Sequence, residues 1–380
     1  MLKQKFPVIF APIFFLGLIF SFYLISHFRK PKSVDTASAE KVENDNDQTN
    51  LLDEPITILL LGLDSRKGDP TSRCDAIHLV TFSPPEEKII ITSVPRNARV
   101  DLPEVATPSA YLANLCEQRG IDAGVSEIIR ITNLQPDHTI KINFSQTLGI
   151  LRLLGMPTTP TLQFLRNRTS YLIGGYQRSH NQALFLKDMI LHHTEQVSNL
   201  PKPMKQIIFK MVDADGLDFE TANSILNWVV KNNLWQKPEK IELTIKPLPW
   251  YKVIDIHFAA SDYPSEISWQ DNEEFKNYQS ELENYLKNLI ETGEKCLASD
   301  QKDYLCQLLK TPFSQQLWLQ LEDNQLRNQL HFDLLRLYFL SSGDKEKTSV
   351  LLDDFITEME VIGETELKKK AEELSENMLF

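Results

Sequence analysis

Apolar and polar positions change pattern three times along the chain. Residues 6–28, FPVIFAPIFFLGLIFSFYLISHF, carry no charged side chain apart from the proton that His27 can take, and at helical rise such a run crosses the hydrocarbon core of a bilayer. Pro7 and Pro12 fall in its first turns, where a missing N–H does little harm, and Phe20, Phe22 and Tyr23 sit toward its far end. The expectation is one transmembrane helix after a short tail at 1–5. The alternative is a cleaved signal peptide, but its only cleavage candidate, Ala37-Ser38-Ala39, lies beyond the charged Arg29-Lys30-Pro31-Lys32 stretch. Residues 29–53 are polar without apolar periodicity and predict a flexible linker.

The pattern then turns to strands. ITILLLGLD at 56–64 is a continuous apolar run, as in a strand buried on both faces of an α/β sheet. IHLVTFS at 77–83 and KIIITSV at 88–94 flank Pro84-Pro85-Glu86-Glu87 and predict an antiparallel hairpin. Helical spacing follows over 122–132, then a strand at 138–144 and a helix through Leu154. A helix at 218–232 precedes two short strands, KIELTIKPL and YKVIDIHF. From residue 270 apolar positions recur three and four apart, as with Phe275, Leu282, Leu286, Leu289 and Ile290. Further helices read through QQLWLQLE, LRNQLHFDLLRLYFL and SVLLDDFITEMEVIG. The architecture expected is an α/β domain over 54–258, a mixed central sheet flanked by helices, followed by an all-helical region over 270–380.

Charge narrows the function. A net charge of -12 argues against a general nucleic-acid binder, because backbone affinity comes from Lys and Arg, and no helix-turn-helix segment stands out. An anionic ligand must therefore meet a local basic cluster. Lys3 and Lys5 face Arg29, Lys30 and Lys32 across the apolar run, so charge leaves sidedness open. Cys74, Cys116, Cys296 and Cys306 fit neither a redox CxxC nor a common zinc spacing. Outside the cytoplasm Cys74–Cys116 and Cys296–Cys306 are candidate disulfides; four reduced thiols are the alternative.

Acids and arginines cluster where strands end, in Gly62-Leu63-Asp64-Ser65-Arg66, Ser72-Arg73-Cys74-Asp75 and Val94-Pro95-Arg96-Asn97-Ala98-Arg99. Strand-end loops are where α/β proteins build sites. Asp64 and Asp75 suit a Mg²⁺ that keeps much of its water, and planar guanidiniums pair bidentately with phosphate oxygens, so the set suits a diphosphate. The plainer reading is a rim of solvated salt bridges.

GLDSR, SRCDAI and ITSVPRNARVDLP, in that order and spacing, resemble the opening signature of LytR-CpsA-Psr domains: G-[ST]-D-x-R, R-x-D-[TA] and [ST]-[IVL]-P-R-D. The stretch from Tyr111 to Pro157 resembles the family's asparagine-containing segment and its following helix, strand and helix. Gly174-Gly175-Tyr176-Gln177 and Asn181-Gln182-Ala183-Leu184 resemble the approach to its arginine-rich motif, giving coverage of roughly 55–255. The resemblance implies Mg²⁺-dependent transfer of a phosphoglycosyl polymer from a polyprenyl diphosphate lipid to the cell wall or another acceptor. It implies a single-pass cell-membrane protein with its globular part outside the cytoplasm and an apolar cavity for the prenyl chain. Carried over, Asp75, Arg73 and Arg96 are the catalytic candidates and Asp64 and Asp75 the metal ligands. Arg73, Arg96, Arg99 and Lys187 are the diphosphate-binding candidates.

Two departures stand against the pattern. Asn97 replaces the aspartate of the third motif, and where the family has an arginine run this chain reads Phe185 to Gln196 with Lys187 as its one fixed cation. His192 and His193, adjacent on a helix, point in different directions and are not expected to form a metal pair. Arg166, Arg168 and Arg178 are candidates to supply charge from another direction, or are plain surface. Asn143-Phe144-Ser145 and Asn167-Arg168-Thr169 fit the glycosylation sequon. Two functions follow: a divergent glycopolymer phosphotransferase, or a non-catalytic member that binds a prenyl phosphate lipid or scaffolds envelope partners through its helical tail.

Overall fold

The structure is a computed structural model and describes residues 52–64, 72–100, 111–167, 174–258 and 273–376. The span expected at 6–28 and the linker up to residue 51 lie outside the described residues. Within them no helix is long and apolar enough to cross a membrane. Thr49–Phe380 is one compact unit.

Six strands form one sheet: β1 (Ile56–Asp64), β2 (Arg73–Ser83), β3 (Lys88–Ser93), β4 (His138–Asn143), β5 (Asp213–Asp215) and β6 (Ile241–Ile245), in the order β5-β4-β1-β2-β3-β6. The sheet is mixed: β1 pairs antiparallel with β2 and parallel with β4, and β2 and β3 form the expected hairpin. Alternation sends Leu59, Leu61, Ile77 and Leu79 to one face, where α1 (Leu112–Arg119) and α2 (Ile121–Thr132) cover them. The other face carries Leu60, His78, Val80 and Ile140 beneath a layer of α3 (Phe144–Leu153), α4 (Thr158–Arg166), α5 (Gly174–Ser198), α6 (Lys202–Lys210) and α7 (Phe219–Lys231). Asn143 starts α3 with a capping box, its side chain accepting from Gln146 N–H while Gln146 returns a bond to its backbone. That amide is buried and also donates to Gln315 O, which removes Asn143 as a glycosylation acceptor.

Cys74 on β2 and Cys116 on α1 form a disulfide, while Cys296 and Cys306 are free, the latter's Sγ lying 3.4 Å from Ser341 Oγ. Of the two candidate bridges the first is thus present and the second is not. The sulfur of Cys116 sits so close to Gly124 that a methyl there would collide with it. With 42 residues separating the bridged pair, Cys116→Ser is expected to cost roughly 2–4 kcal/mol, read as a lower denaturation midpoint that reductant no longer shifts.

The carboxy-terminal region is helical, with α8 (Glu273–Ala298), α9 (Lys302–Gln315), α10 (Asn324–Ser341), α11 (Lys345–Ile362) and α12 (Thr365–Glu376). Leu282, Leu286 and Leu289 enter its core as their spacing predicts. QQLWLQLE, expected as a helix, is a short 3-10 turn at Leu317–Gln320. Gln316 in the left-handed region (φ 48) breaks the α geometry there. This turn docks the helical region on α3. Arg152 donates to Leu319 O and pairs with Glu322 at 3.0 Å, Gln320 donates to Ser145 Oγ at 2.8 Å, and Leu319 lies 3.1 Å from where a Cβ on Gly149 would stand.

Behind the turn, burial holds the Glu358 carboxyl up at about 7, against the pull of Arg327, although 23% of its side chain meets solvent. An acid raised in the folded state stabilises it below the unfolded value and loses that contribution as pH rises through the folded one. The slope therefore falls between about 4.5 and about 7 and amounts to at most roughly 3 kcal/mol. Glu358→Gln is expected to remove this slope, seen as a smaller drop in melting temperature between pH 5 and pH 8 than the parent shows.

Candidate functional site

Under the helical layer lies a cavity of about 590 Å³, walled chiefly by Ile140, Ile142, Leu151, Phe185, Ile208 and Phe209. Two carboxylates border it where β1 ends and β2 begins, Asp64 and Asp75, and a fault in the ladder places Asp75. Gly62 pairs with Ala76 but Leu63 with Cys74, so Asp75 is the extra residue of a β-bulge. The bulge lets Cys74 face α1 for its disulfide while Asp75 and Ala76 both border the cavity. Gly62 is required beside it, since a Cβ there would stand 2.8 Å from Ala76 Cβ.

Asp75 is clasped by two arginines from different elements. Arg96 Nη1, in the turn after β3, lies 2.5 Å from Oδ1, and Arg178 Nη2, on α5, lies 3.1 Å from Oδ2. All three side chains are largely buried, at 14%, 16% and 6% exposure. One carboxylate between two guanidiniums leaves this triad one positive charge in a low-dielectric setting, so its arginines can still pair with an anion. Arg178 is fixed further by its Nε–H to Leu165 O at 3.1 Å, and Gln182, one turn on, donates to the same carbonyl at 2.8 Å. These contacts use two of the five N–H donors of Arg178. Asp64 borders the cavity from the end of β1, and Arg166 reaches it from α4, its guanidinium 5.9 Å from the Phe144 ring centre.

The first turn of α5 touches the Arg96 turn directly. The Asn97 amide packs so tightly on Gly175 that any side chain at 175 would displace it, which ties the third motif to the helix carrying Arg178. Gln177, buried, binds the backbone of Ile254 in both directions, accepting from its N–H at 3.1 Å and donating to its C=O at 2.6 Å. This pairing is why YKVIDIHF, expected as a strand, is not one: a side-chain amide takes the backbone groups a ladder would need. Neighbouring His180 Nε2 meets Asp255 Oδ1 at 2.7 Å, and that hydrogen bond holds the Asp255 carboxyl below its ordinary value.

His78 is the buried group that motif reading passed over. Its Nδ1 lies 2.9 Å from Ser93 Oγ, and its Nε2, bordering the cavity, has no hydrogen-bond partner. Burial pushes the imidazole down to about 4, a fall that the Gln182 side chain offsets only in part and to which the nearby Arg178 charge adds a lesser pull, so it is neutral at neutral pH.

Of the residues singled out from sequence, Asp64, Asp75 and Arg96 converge, and Arg178 joins them from the group set down as charge donor or surface. Arg73 does not: its side chain is 44% exposed and leans to Glu117 on α1 at 3.8 Å. Arg99 is exposed, bridged through its backbone to Tyr111. Lys187 donates to the Pro238 and Ile241 carbonyls at 2.7 and 2.8 Å, where it secures the start of β6 rather than a ligand. His192 and His193 bond locally to Asp188 O and Gln196 Oε1. Arg66 and Arg168 lie outside the described residues, among which no group of three or more His, Cys, Asp or Glu gathers as a metal cage.

The LytR_cpsA_psr family model matches residues 22–150. The chain is 23% identical over 184 residues to the polyisoprenyl-teichoic acid–peptidoglycan teichoic acid transferase TagU of Bacillus cereus (strain ATCC 14579), covering 47% of this chain and 59% of that protein. It is 26% identical over 102 residues to the protein of that name in Halalkalibacterium halodurans, covering 27% and 33%. The chain thus spans about a third to three fifths of the length of these curated relatives. Among solved structures, B. subtilis TagV aligns at TM-score 0.41 and 15% identity over 56% of this chain and 94% of TagV. B. subtilis TagT aligns at TM-score 0.38 and 15% identity over 61% of this chain and 92% of TagT.

Proposed function

This chain belongs to the LytR-CpsA-Psr family, matched over residues 22–150, and from that premise we propose that it is a membrane-anchored glycopolymer phosphotransferase acting on a polyprenyl diphosphate lipid outside the cytoplasm. One observation carries the reading: Asp64, Asp75 and Arg178 border a largely apolar cavity of about 590 Å³, and Arg96 and Arg178 both pair with Asp75 there. An isoprenoid chain needs apolar walls and its diphosphate needs fixed cations, and the two lie next to each other here.

In the transfer, an acceptor hydroxyl oxygen attacks the phosphorus that bears the glycan. The bond from that phosphorus to the bridging oxygen breaks, prenyl monophosphate leaves, and the acceptor proton is lost to water. Arg96 and Arg178 hold the equatorial and bridging oxygens as charge builds on them, and Asp75 keeps both guanidiniums oriented without reorganisation during the step. Asp64 and Asp75 both border the cavity and would be the carboxylates to hold Mg²⁺, which ordinarily takes one or two carboxylates and completes its shell with phosphate oxygens and water. Magnesium held there would supply Lewis acidity at the departing oxygen. The partners follow as a lipid-linked glycan and a wall or other acceptor.

A second reading, a lipid-binding member without turnover, draws on Lys187: its ammonium is spent on two backbone carbonyls, so the late stretch gives the cluster no cation. Both readings expect saturable binding of a prenyl phosphate, followed by quenching of a fluorescent analogue. Absence of binding would remove both, and only the first yields prenyl monophosphate from the diphosphate substrate.

A further inference from the structure

Between β6 and the cavity wall the chain runs KPLPWYKVIDIHF from Lys246 to Phe258; Ile256 and Phe258 pack inward, but most of the apolar side chains before them face solvent. Leu248 and Trp250 are each 78% exposed, Ile254 58% and Tyr251 48%. The Trp250 and Tyr251 rings pack against each other, 4.7 Å between centres. Lys246 and Lys252, both exposed, flank the aromatic pair. Scattered apolar residues on a surface need no account, but four within seven positions, framed by lysines on an acidic protein, do.

The segment is not loose. Gln177 clamps the Ile254 backbone, Asp255 is bound to His180, and Phe258 lies 5.6 and 6.4 Å from the rings of Phe164 and Phe185, in the cluster that walls the cavity. The clamp at Gln177 is one residue from Arg178. A projection of Trp, Tyr and Leu, anchored through Ile254, Asp255 and Phe258, is therefore mounted beside the arginine cluster and the apolar cavity together.

We propose that Leu248, Trp250, Tyr251 and Ile254 insert into the headgroup boundary of a lipid bilayer, with Lys246 and Lys252 against anionic headgroups, and so hold the cavity at the membrane surface. Indole and phenol rings favour that boundary because one end of each is apolar and the other keeps a hydrogen bond with water. Lysines beside inserted apolar groups gain from an anionic surface. The chemistry favours lipid over a protein partner because it combines a small apolar tip with cations rather than a broad, shape-matched apolar face. The inference deepens the proposed function, since a lipid-borne substrate must pass from bilayer to cavity at some edge, and this projection marks the edge.

The test is depth-dependent quenching with the full chain on vesicles of phosphatidylcholine and phosphatidylglycerol, with and without brominated acyl chains. Trp250 is one of five tryptophans, so Trp250→Ser isolates its share of the emission. That share is expected to be quenched by bromine near the headgroup and shifted to the blue, and raised salt should weaken the effect through Lys246 and Lys252. Parent and Trp250→Ser losing the same emission, or Trp250 staying open to iodide on vesicles, would overturn the proposal whether water or a protein covers the segment. The readout needs no turnover. An inactive protein whose Trp250 is quenched keeps this inference, and an active one whose Trp250 is not loses only this inference.

Discussion

Asp75→Ala is expected to abolish turnover and to lower the melting temperature in the same variant. The carboxylate sits between Arg96 and Arg178 at 2.5 and 3.1 Å, largely out of water, and its loss leaves two guanidiniums facing each other across an empty place. Breaking a buried ion pair by deleting one partner costs about 3–5 kcal/mol because the survivors stay desolvated. An Asp75→Asn variant separates the two effects: it keeps the shape and one acceptor, so most stability should return while turnover does not. Thermal melts on both variants, with and without a prenyl phosphate, check this. A phosphate group should restore part of the Asp75→Ala loss, since an anion can replace the missing charge.

The second large effect is a ranking. Arg178→Met is expected to lower kcat by about 10²–10³, the usual cost of removing one preorganised donor from developing negative charge. Arg73→Met should change it by less than about tenfold, because that guanidinium is solvated and leans on Glu117, where surface pairs contribute little. The motifs alone rank the two the other way, as Arg73 stands in the matched signature and Arg178 does not. Equal losses from the two variants would mean that Arg73 swings into the site when substrate binds.

That reversal marks what the sequence could carry. Periodicity made β1, the β2–β3 hairpin, β4, α2 and α7 legible, since each buries a face and so writes its period into the chain. The early motifs held Asp64, Asp75 and Arg96 because each stands at an end or turn of three consecutive strands that pair with one another. The β-bulge that places Asp75 leaves no pattern, as one extra residue in a ladder is set by its partner strand. Arg178 was ambiguous for a related reason: the contact spans 103 positions, and only the fold joins them. His78 is a polar place in an apolar strand, and only a cavity on that face distinguishes it from a core histidine. YKVIDIHF and QQLWLQLE have the composition of regular elements, yet Gln177 claims the backbone of one and the left-handed Gln316 breaks the other.

The most direct test is a single reaction with the full chain, a polyprenyl diphosphate-linked sugar and Mg²⁺, following prenyl monophosphate over time. Product from the parent, dependence on Mg²⁺, and loss of product but not of lipid binding in Arg178→Met are the predicted results. Unchanged product formation in both Asp75→Asn and Arg178→Met would contradict the claim that this cluster performs the transfer.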